Sequence, residues 1–303
     1  MRIAIYGSGG VGGYFGARLA AAGNDVQFIA RGAHLRAMRE HGLKVESSAG
    51  NLHVAKPDVH EDPAEIGPVD VVLFAVKLGD VESVAQKLKP LLRERTIVIP
   101  FQNGVEAPDV LKKYMAGEQV VPGVAYIATA IRAPGIVAHT GAMQRLQVGR
   151  GGEAFVAAGK AAGINVELAE DIDRARWEKF VFLVALSGVT TLSRQPVGVC
   201  RADAELRATF QAAMTETWRL GRQRGVRLAD DFIADRMRFV DGLHADMRTS
   251  MQHDLEAGKP LEAPWLCGAV VRMSAAEGLE APVNRTIYAA LKPYLNGSAQ
   301  QAA

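Results

Sequence analysis

A lysine stands at the start of a long apolar run. Lys179 precedes the segment 180–192, FVFLVALSGVTTL, and the same helical face continues through Leu183 and Ser187. An ammonium group beside apolar side chains loses hydration, which lowers its pKa and suits it to donate a proton to a reacting oxygen. A lysine in the first turn of a helix can also extend its head to water. The residue alone leaves both roles open.

The N-terminal segment carries a glycine pattern typical of dinucleotide binding. Gly7, Gly9 and Gly12 follow the apolar run RIAIY in G-x-G-x-x-G spacing, and a helical pattern begins near Val11. In this context the glycines allow a tight turn, a close approach of backbone to a pyrophosphate, and close packing of helix on strand. The N–H groups of the helix start can then bind phosphate. The segment predicts a cofactor site that comprises Gly7, Ser8, Gly9, Gly10, Val11 and Gly12.

Three residues that each follow a predicted strand are candidates for binding the cofactor. FIARG places Arg31 after the second strand, with no acid beside it in the chain, and a guanidinium there favours the 2′-phosphate of NADPH over NADH. Lys77 follows VVLFAV and is a second candidate, although it could equally be a solvated lysine at a strand end. Asn103 follows TIVIP and could bridge cofactor and substrate or simply form a turn.

Composition limits the class of protein. The chain has 303 residues, 49% of them hydrophobic and 22% charged, and a net charge of +2, which predicts two globular domains and no nucleic-acid partner. Cys200 and Cys267 are isolated, and the histidines are scattered, so we expect neither a disulfide framework nor a metal site. The N-terminus lacks the pattern of a signal peptide, and the run 180–192 is too short to span a membrane. We therefore expect a cytoplasmic protein without a membrane partner.

The order of elements predicts the fold class. Strand patterns alternate with helices and are apolar on both faces, which indicates a parallel sheet. We expect a hairpin at 43–55, a helix at 81–92, and a meander at 119–149 that closes one edge of the sheet. After residue 170 only helical periodicity is found. The prediction is an α/β, Rossmann-type NADP-binding domain over 1–170 and an all-helical substrate and catalytic domain over 171–303, with a disordered end at 296–303.

Several motifs in this order resemble the ketopantoate reductase (2-dehydropantoate 2-reductase) family. They extend from Met1 to about Pro293: GSGGVG, Arg31, AVK at 75–77, QNG at 102–104, WEK at 177–179 and SMQHDLEAGKPLE at 250–262. The resemblance implies that Lys179 is the general acid and Glu262 the active-site glutamate, which also contacts the cofactor. It further implies that Ser250 and Asn103 bind substrate, with Asn103 near the nicotinamide, in a cleft between the two domains.

The chain departs from the family where the family places asparagines after the lysine. Those positions hold Leu183, Ser187 and, by counting, Val197. Ser187 can still bind substrate through one hydrogen bond, whereas leucine and valine cannot, and lost polar contacts weaken binding of a hydroxylated substrate. Other side chains could restore the contacts, and the candidates are Thr190, Thr191, Arg194 and Arg248.

The expected function is NADPH-dependent reduction of a small-molecule 2-keto acid, with ketopantoate to pantoate in pantothenate biosynthesis as the family reaction. A more apolar 2-oxo acid is one alternative, and a β-hydroxyacid or amino-acid-type dehydrogenase with the same two-domain plan is another. A non-catalytic NADP(H)-binding sensor is a third, although a sensor has no need for a proton donor. A homodimer is compatible with the sequence, which does not fix the oligomer.

Overall fold

The computed structural model describes residues 1–297, so most of the end predicted to be disordered lies outside the described residues. Within that end, Asn296 pairs with Pro260 in an isolated antiparallel bridge. The chain divides into two compact units. The first, here called the α/β unit, comprises Met1–Gln102 and Glu106–Ala175. The second, the helical unit, comprises Asn103–Val105 and the described residues from Arg176 onward.

Ten strands and twelve α-helices lie within residues 1–297. The strands are β1 (Arg2–Tyr6), β2 (Asp25–Ile29), β3 (Leu43–Ser47), β4 (Leu52–Val54), β5 (Asp58–His60), β6 (Val71–Phe74), β7 (Ile97–Pro100), β8 (Gly123–Ala133), β9 (Ile136–Val148) and β10 (Asn165–Leu168). The helices are α1 (Gly10–Ala21), α2 (Gly32–His41), α3 (Val81–Ala85), α4 (Ala107–Leu111), α5 (Glu153–Ala161), α6 (Ile172–Ser193), α7 (Val197–Ala202), α8 (Ala204–Gln223), α9 (Phe232–Asp241), α10 (Ser250–Glu256), α11 (Cys267–Ala276) and α12 (Pro282–Leu291). Short 3₁₀ turns occupy Pro63–Glu65, Leu78–Asp80, Lys89–Leu91, Gly117–Gln119, Ala263–Trp265 and Lys292–Tyr294.

The first sheet of the α/β unit is parallel, in the order β5-β2-β1-β6-β7. This order is typical of a dinucleotide-binding fold, in which ligands bind at the carboxyl edge where the strand order reverses. Side chains of β1 alternate between two apolar clusters, because Ile3 and Ile5 enter one and Ala4 and Tyr6 the other. Both faces of the sheet are therefore covered, and the predicted α/β class is confirmed.

Only the start of the predicted meander at 119–149 meets an edge of this sheet, where Val120 forms an isolated parallel bridge with Val98 of β7. The rest of the segment does not pair with this sheet, and that part of the prediction was wrong. It forms the long hairpin β8–β9, which belongs to a second sheet in the order β10-β9-β3-β4, with β8 paired to β9. The predicted hairpin at 43–55 is present as β3 and β4, and β3 pairs in parallel with β9. Helix α1 contacts both sheets, so its buried side chains, including Tyr14 and Phe15, provide the apolar surface on which the second sheet packs.

The predicted helix at 81–92 is also shorter than expected. Helix α3 ends at Ala85, and a separate 3₁₀ turn at Lys89–Leu91 contains Pro90. Proline lacks an N–H donor and disfavours helical backbone in the residue before it, which explains the break. The helix α2 and the short parallel strand β5 were not predicted from the sequence.

The helical unit has a core of its own. Phe180 and Val184 of α6 pack with Phe210 and Met214 of α8, and all four are almost completely buried. The predicted all-helical character of this part of the chain is confirmed. Across residues 1–297 no helix is both long and apolar enough to cross a membrane. The same residues include no group of three or more His, Cys, Asp or Glu side chains arranged to hold a metal ion.

Candidate active site

The glycine loop between β1 and α1 has the geometry that its sequence predicts. Gly7 has φ +96°, and a Cβ atom there would lie 2.7 Å from the carbonyl carbon of Ala75. A Cβ on Gly12 would lie 2.2 Å from the carbonyl oxygen of Gly7. At Gly9 the nearest atom to an added Cβ is a methyl carbon of Ile131 at 3.9 Å, so the space beside this residue is open. The loop therefore fits a pyrophosphate that approaches the backbone at Gly9.

Ser8 fastens the glycine loop to the end of β2. Its side chain is 2% exposed, and its hydroxyl donates to the carbonyl oxygen of Ile29 at 3.0 Å. The Ser8 amide donates to the same oxygen at 3.1 Å. Both hydrogen-bond donors of Ser8 therefore bind within the protein and stabilise the loop. Direct contact of Ser8 with the cofactor stays a prediction.

A histidine that sequence reasoning missed holds the same loop. His34 of α2 accepts a hydrogen bond at Nδ1 from the Gly135 amide at 3.0 Å, so Nε2 carries the proton and donates to the Ser8 carbonyl oxygen at 2.8 Å. Burial lowers the pKa of His34, and the bond to Ser8 opposes that shift. A neutral imidazole thus links α2, the β8–β9 turn and the glycine loop. A lone histidine within a helix pattern gave no sequence signal for this role.

Arg31 lies at the carboxyl edge of the first sheet, as predicted, but it has an acidic neighbour. Its guanidinium group lies 2.7 Å from the carboxylate of Asp80, which follows β6. No acidic residue neighbours Arg31 in the sequence, but the fold places the carboxylate of Asp80 beside it. Lys77 is exposed on the loop after β6, immediately before the 3₁₀ turn that ends at Asp80.

The helical unit brings together two of the predicted catalytic and substrate residues. The Lys179 ammonium group donates to Oδ1 of Asn103 at 2.9 Å. Burial lowers the pKa of Lys179 to about 8, and the negative charge of Glu262 opposes part of that shift. A lysine with this pKa is mostly protonated at neutral pH and yet gives up a proton easily. Lys179 does not lie in the first turn of its helix, because α6 begins at Ile172 and Lys179 is its eighth residue. It lies just before the apolar part of α6, and a role as proton donor stays a prediction.

A second basic residue on α6 holds the loop that carries Asn103. The guanidinium group of Arg176 donates to the carbonyl oxygen of Val105, and Val105 itself is buried in the core of the helical unit. Arg176 lies about one turn before Lys179 on α6. The loop 103–105 is thereby tied to the helix that presents the lysine. Sequence reasoning did not identify Arg176, because the contact joins segments about 70 residues apart.

The residues predicted to contact substrate occupy different environments. Ser250 is exposed at the first position of α10, whereas Ser187 is 1% exposed on α6. Leu183 is half-buried and packs against the core of the helical unit. Val197 is fully buried in that core, so the position reached by counting lies among apolar side chains and not on a polar surface.

The four candidates for restored substrate contacts mostly have partners in the protein. Thr190 donates to the carbonyl oxygen of Leu186 at 2.7 Å and pairs with the hydroxyl of Thr249 at 3.1 Å. Arg194 lies over the ring of Tyr294, and Arg248 pairs with the carboxylate of Glu256.

Thr191 differs from the other three candidates. Its buried hydroxyl has no hydrogen-bond partner among the residues that the structure describes. It is therefore the candidate with the clearest unmet need for a hydrogen bond.

Comparison with known proteins agrees with this geometry. Two family models, described as "Ketopantoate reductase PanE/ApbA" and "Ketopantoate reductase PanE/ApbA C terminal", match residues 3–153 and 171–295. A Bacillus subtilis protein named "Uncharacterized oxidoreductase YkpB" is 31% identical over 97% of this chain and 99% of its own. A 2-dehydropantoate 2-reductase of Mycobacterium tuberculosis is 31% identical over 93% of this chain and 94% of its own.

A solved structure shows the same arrangement of the chain. The crystal structure of 2-dehydropantoate 2-reductase from Geobacter metallireducens matches with a TM-score of 0.90 at 30% identity, over 96% of this chain and 99% of that one. The family models together cover most of the sequence, including the glycine loop and Lys179. The chain belongs to the ketopantoate reductase family, whose members are oxidoreductases.

Proposed function

We propose that this protein reduces a 2-keto acid to the 2-hydroxy acid with NADPH, and that the substrate is ketopantoate, which becomes pantoate. The observation that carries the proposal is the Lys179 ammonium group, hydrogen-bonded to Asn103 at 2.9 Å and with its pKa lowered to about 8 by burial. A proton donor so tuned suits a reaction that builds negative charge on a carbonyl oxygen. Family membership supports the reaction class.

The residues that would hold the dinucleotide are those of the glycine loop, with Arg31 and Lys77 toward the 2′-phosphate and Asn103 and Glu262 toward the nicotinamide. When bound, the reduced nicotinamide supplies the hydride. Lys179 then stabilises the negative charge on the keto oxygen and transfers its proton from Nζ to that oxygen. Asn103 orients the ammonium group through its side-chain oxygen, and its amide NH₂ is the donor that it can offer to a ligand. Glu262 keeps Lys179 charged before the transfer.

A more apolar 2-oxo acid is the second candidate substrate. Leu183 is half-buried about one turn beyond Lys179, and the hydroxyl-bearing Ser187 is 1% exposed. A face of this kind favours an alkyl or aryl group over the hydroxyl group of ketopantoate, because a buried hydroxyl without a partner weakens binding. Ser250 at the start of α10 is the polar side chain that we propose for the substrate carboxylate or hydroxyl group.

The proposed setting follows from the reaction. Reduction of ketopantoate would place the protein in pantothenate biosynthesis, in the cytoplasm, where NADPH is available. A homodimer is the oligomer that we propose. We infer a catalytic role and not a sensor role, because a pure NADP(H) sensor has no use for a lysine with a lowered pKa.

The test is the rate of NADPH oxidation with ketopantoate, a branched alkyl 2-oxo acid and an aryl 2-oxo acid, for the natural protein and for Leu183→Asn. Ketopantoate as the best substrate of the natural protein supports the proposal. If an apolar acid is best and Leu183→Asn moves the preference toward ketopantoate by about ten-fold, the second candidate is correct. NADPH binding without oxidation by any of the three acids would contradict both and favour a sensor.

A further inference from the structure

The acidic partner of Arg31 bears on which dinucleotide the α/β unit accepts. Arg31 follows β2 and Asp80 follows β6, and these strands lie on either side of β1, whose end carries the glycine loop. In folds of this order the adenosine ribose lies beside the residue that follows the second strand. The 2.7 Å ion pair between Arg31 and Asp80 therefore occupies the place where the 2′-hydroxyl or the 2′-phosphate must bind.

The carboxylate of Asp80 has no part in starting the short helix that follows it. Asp80 is the N-cap residue of α3, yet its side chain makes no capping hydrogen bond. Its main chain holds the local turn, because its amide donates to the Lys77 carbonyl oxygen at 2.9 Å and its carbonyl accepts from the Ser83 hydroxyl at 3.0 Å. The carboxylate faces Arg31 instead. An amide in its place leaves these main-chain bonds unchanged.

A second carboxylate acts on the end of β1, where the charge of Arg31 also acts. Burial raises the pKa of Tyr6, the charge of Asp62 raises it further, and Arg31 opposes both. The charges of Asp62 and Arg31 therefore both reach the end of β1. Since Asp80 pairs with Arg31 and the charge of Asp62 acts on the end of β1, this edge is not the uniformly basic pocket that a phosphate dianion prefers.

We propose that Asp80 is a specificity-determining residue that makes the site accept NADH as well as NADPH. This inference rests on the proposed function, since it concerns the cofactor of that reaction. The carboxylate can accept hydrogen bonds from the 2′- and 3′-hydroxyls of NADH, as an acid at the end of the second strand does in NAD-binding folds. With NADPH, the 2′-phosphate must separate Arg31 from Asp80 and then lie beside a like charge.

The test is the dissociation constant of each reduced cofactor, measured by fluorescence titration at low ionic strength without substrate. The proteins are the natural chain, Asp80→Asn and the control Asp109→Asn, which removes an exposed acid that pairs only loosely with Lys112. In Asp80→Asn we expect NADPH to bind about five-fold tighter and NADH about three-fold weaker, because an exposed charge pair is worth a few-fold in affinity. Asp109→Asn should leave both constants unchanged.

The role of Asp80 would be overturned by unchanged dissociation constants in Asp80→Asn, or by an equal change for both cofactors. Binding of neither cofactor to the natural chain would do the same. Because the titration needs no substrate, its outcome is separate from that of the reductase assay. If the expected shifts occur while no 2-keto acid is reduced, the inference about Asp80 holds and the proposed reaction fails.

Discussion

The role proposed for Lys179 depends on its protonation state, which burial and Glu262 set together. Reduction of the keto acid needs the ammonium form. With the pKa lowered to about 8, that form is present below pH 8 and is lost above it. We therefore expect kcat/KM for reduction to be constant on the acid side of that value and to fall as the pH rises through it, in initial rates measured across this range. A rate that stays constant well above pH 9 would contradict this role, because about ten-fold less ammonium form would remain there.

The charge of Glu262 should be visible in the same profile. Glu262→Gln removes the carboxylate that raises the pKa of Lys179, so the fall in kcat/KM should move to lower pH. Glu277→Gln is the matched control, since Glu277 pairs with Arg224 at 3.4 Å, whereas the carboxylate that acts on Lys179 is that of Glu262. A fall that moves to higher pH in Glu262→Gln, or one that moves equally in the control, would contradict the coupling.

Single residues of the site were predictable where residue type and strand position sufficed. Arg31 stands out because it follows an apolar strand and precedes a glycine, and Lys179 because a long apolar run follows it. Asp80, His34 and Arg176 were not predictable, since each acts on a partner far away in the chain. Tertiary contacts of this kind leave no spacing signal in one sequence.

At the level of secondary-structure elements, two substitutions in the glycine loop should differ in their effect on stability while both weaken cofactor binding. Gly12→Ala places a Cβ 2.2 Å from the Gly7 carbonyl oxygen, so we expect a loss of about 2–3 kcal/mol of unfolding free energy together with loss of NADPH binding. Gly9→Ala meets nothing closer than 3.9 Å within the protein, so it should cost much less stability while it still weakens NADPH binding.

Urea unfolding and cofactor titration on both glycine variants measure the two effects. Equal losses of stability in Gly9→Ala and Gly12→Ala would contradict the account of the loop.

A buried carboxylate caps the last long helix of the helical unit. Glu216 of α8 accepts hydrogen bonds from the amides of Val283 and Asn284, at 2.8 and 2.9 Å, and from the Asn284 side chain at 2.7 Å. Glu216→Ala leaves these buried donors unpaired and should lower the free energy of unfolding by about 2–3 kcal/mol. The exposed Gln211→Ala on the same helix should change it by less than about 0.5 kcal/mol. Equal effects in urea unfolding of the two variants would show that the cap contributes nothing.

Elements were predicted well where local pattern and final pairing agree, as in β1, α1 and β6. The hairpin β8–β9 was recognised, but the sheet that it joins was not, because pairing of β9 with β3 and β10 joins distant segments. The short α3 shows the opposite case, since Pro90 was a visible local reason for an early end.

At the scale of the whole molecule, the chain builds each unit around its own apolar cores. Alternating strands and helices followed by helices alone were sufficient to predict the fold class, an α/β part followed by a helical part. The sequence did not indicate that the segment 103–105 groups with the helical unit, which places Asn103 with Lys179. A turn of three residues carries no pattern of its own, so only the contacts of Val105 and Arg176 reveal where it belongs.

The central claim is that Lys179 supplies the proton for reduction of a 2-keto acid. The most direct measurement compares kcat for the best 2-keto acid, with saturating NADPH, among the natural protein, Lys179→Ala and the control Lys160→Ala on α5. Cofactor affinity is measured alongside by fluorescence. We expect Lys179→Ala to lose about a hundred- to ten-thousand-fold in kcat with NADPH affinity nearly unchanged, while the control keeps full activity. A Lys179→Ala enzyme within a few-fold of the natural kcat would contradict the central claim.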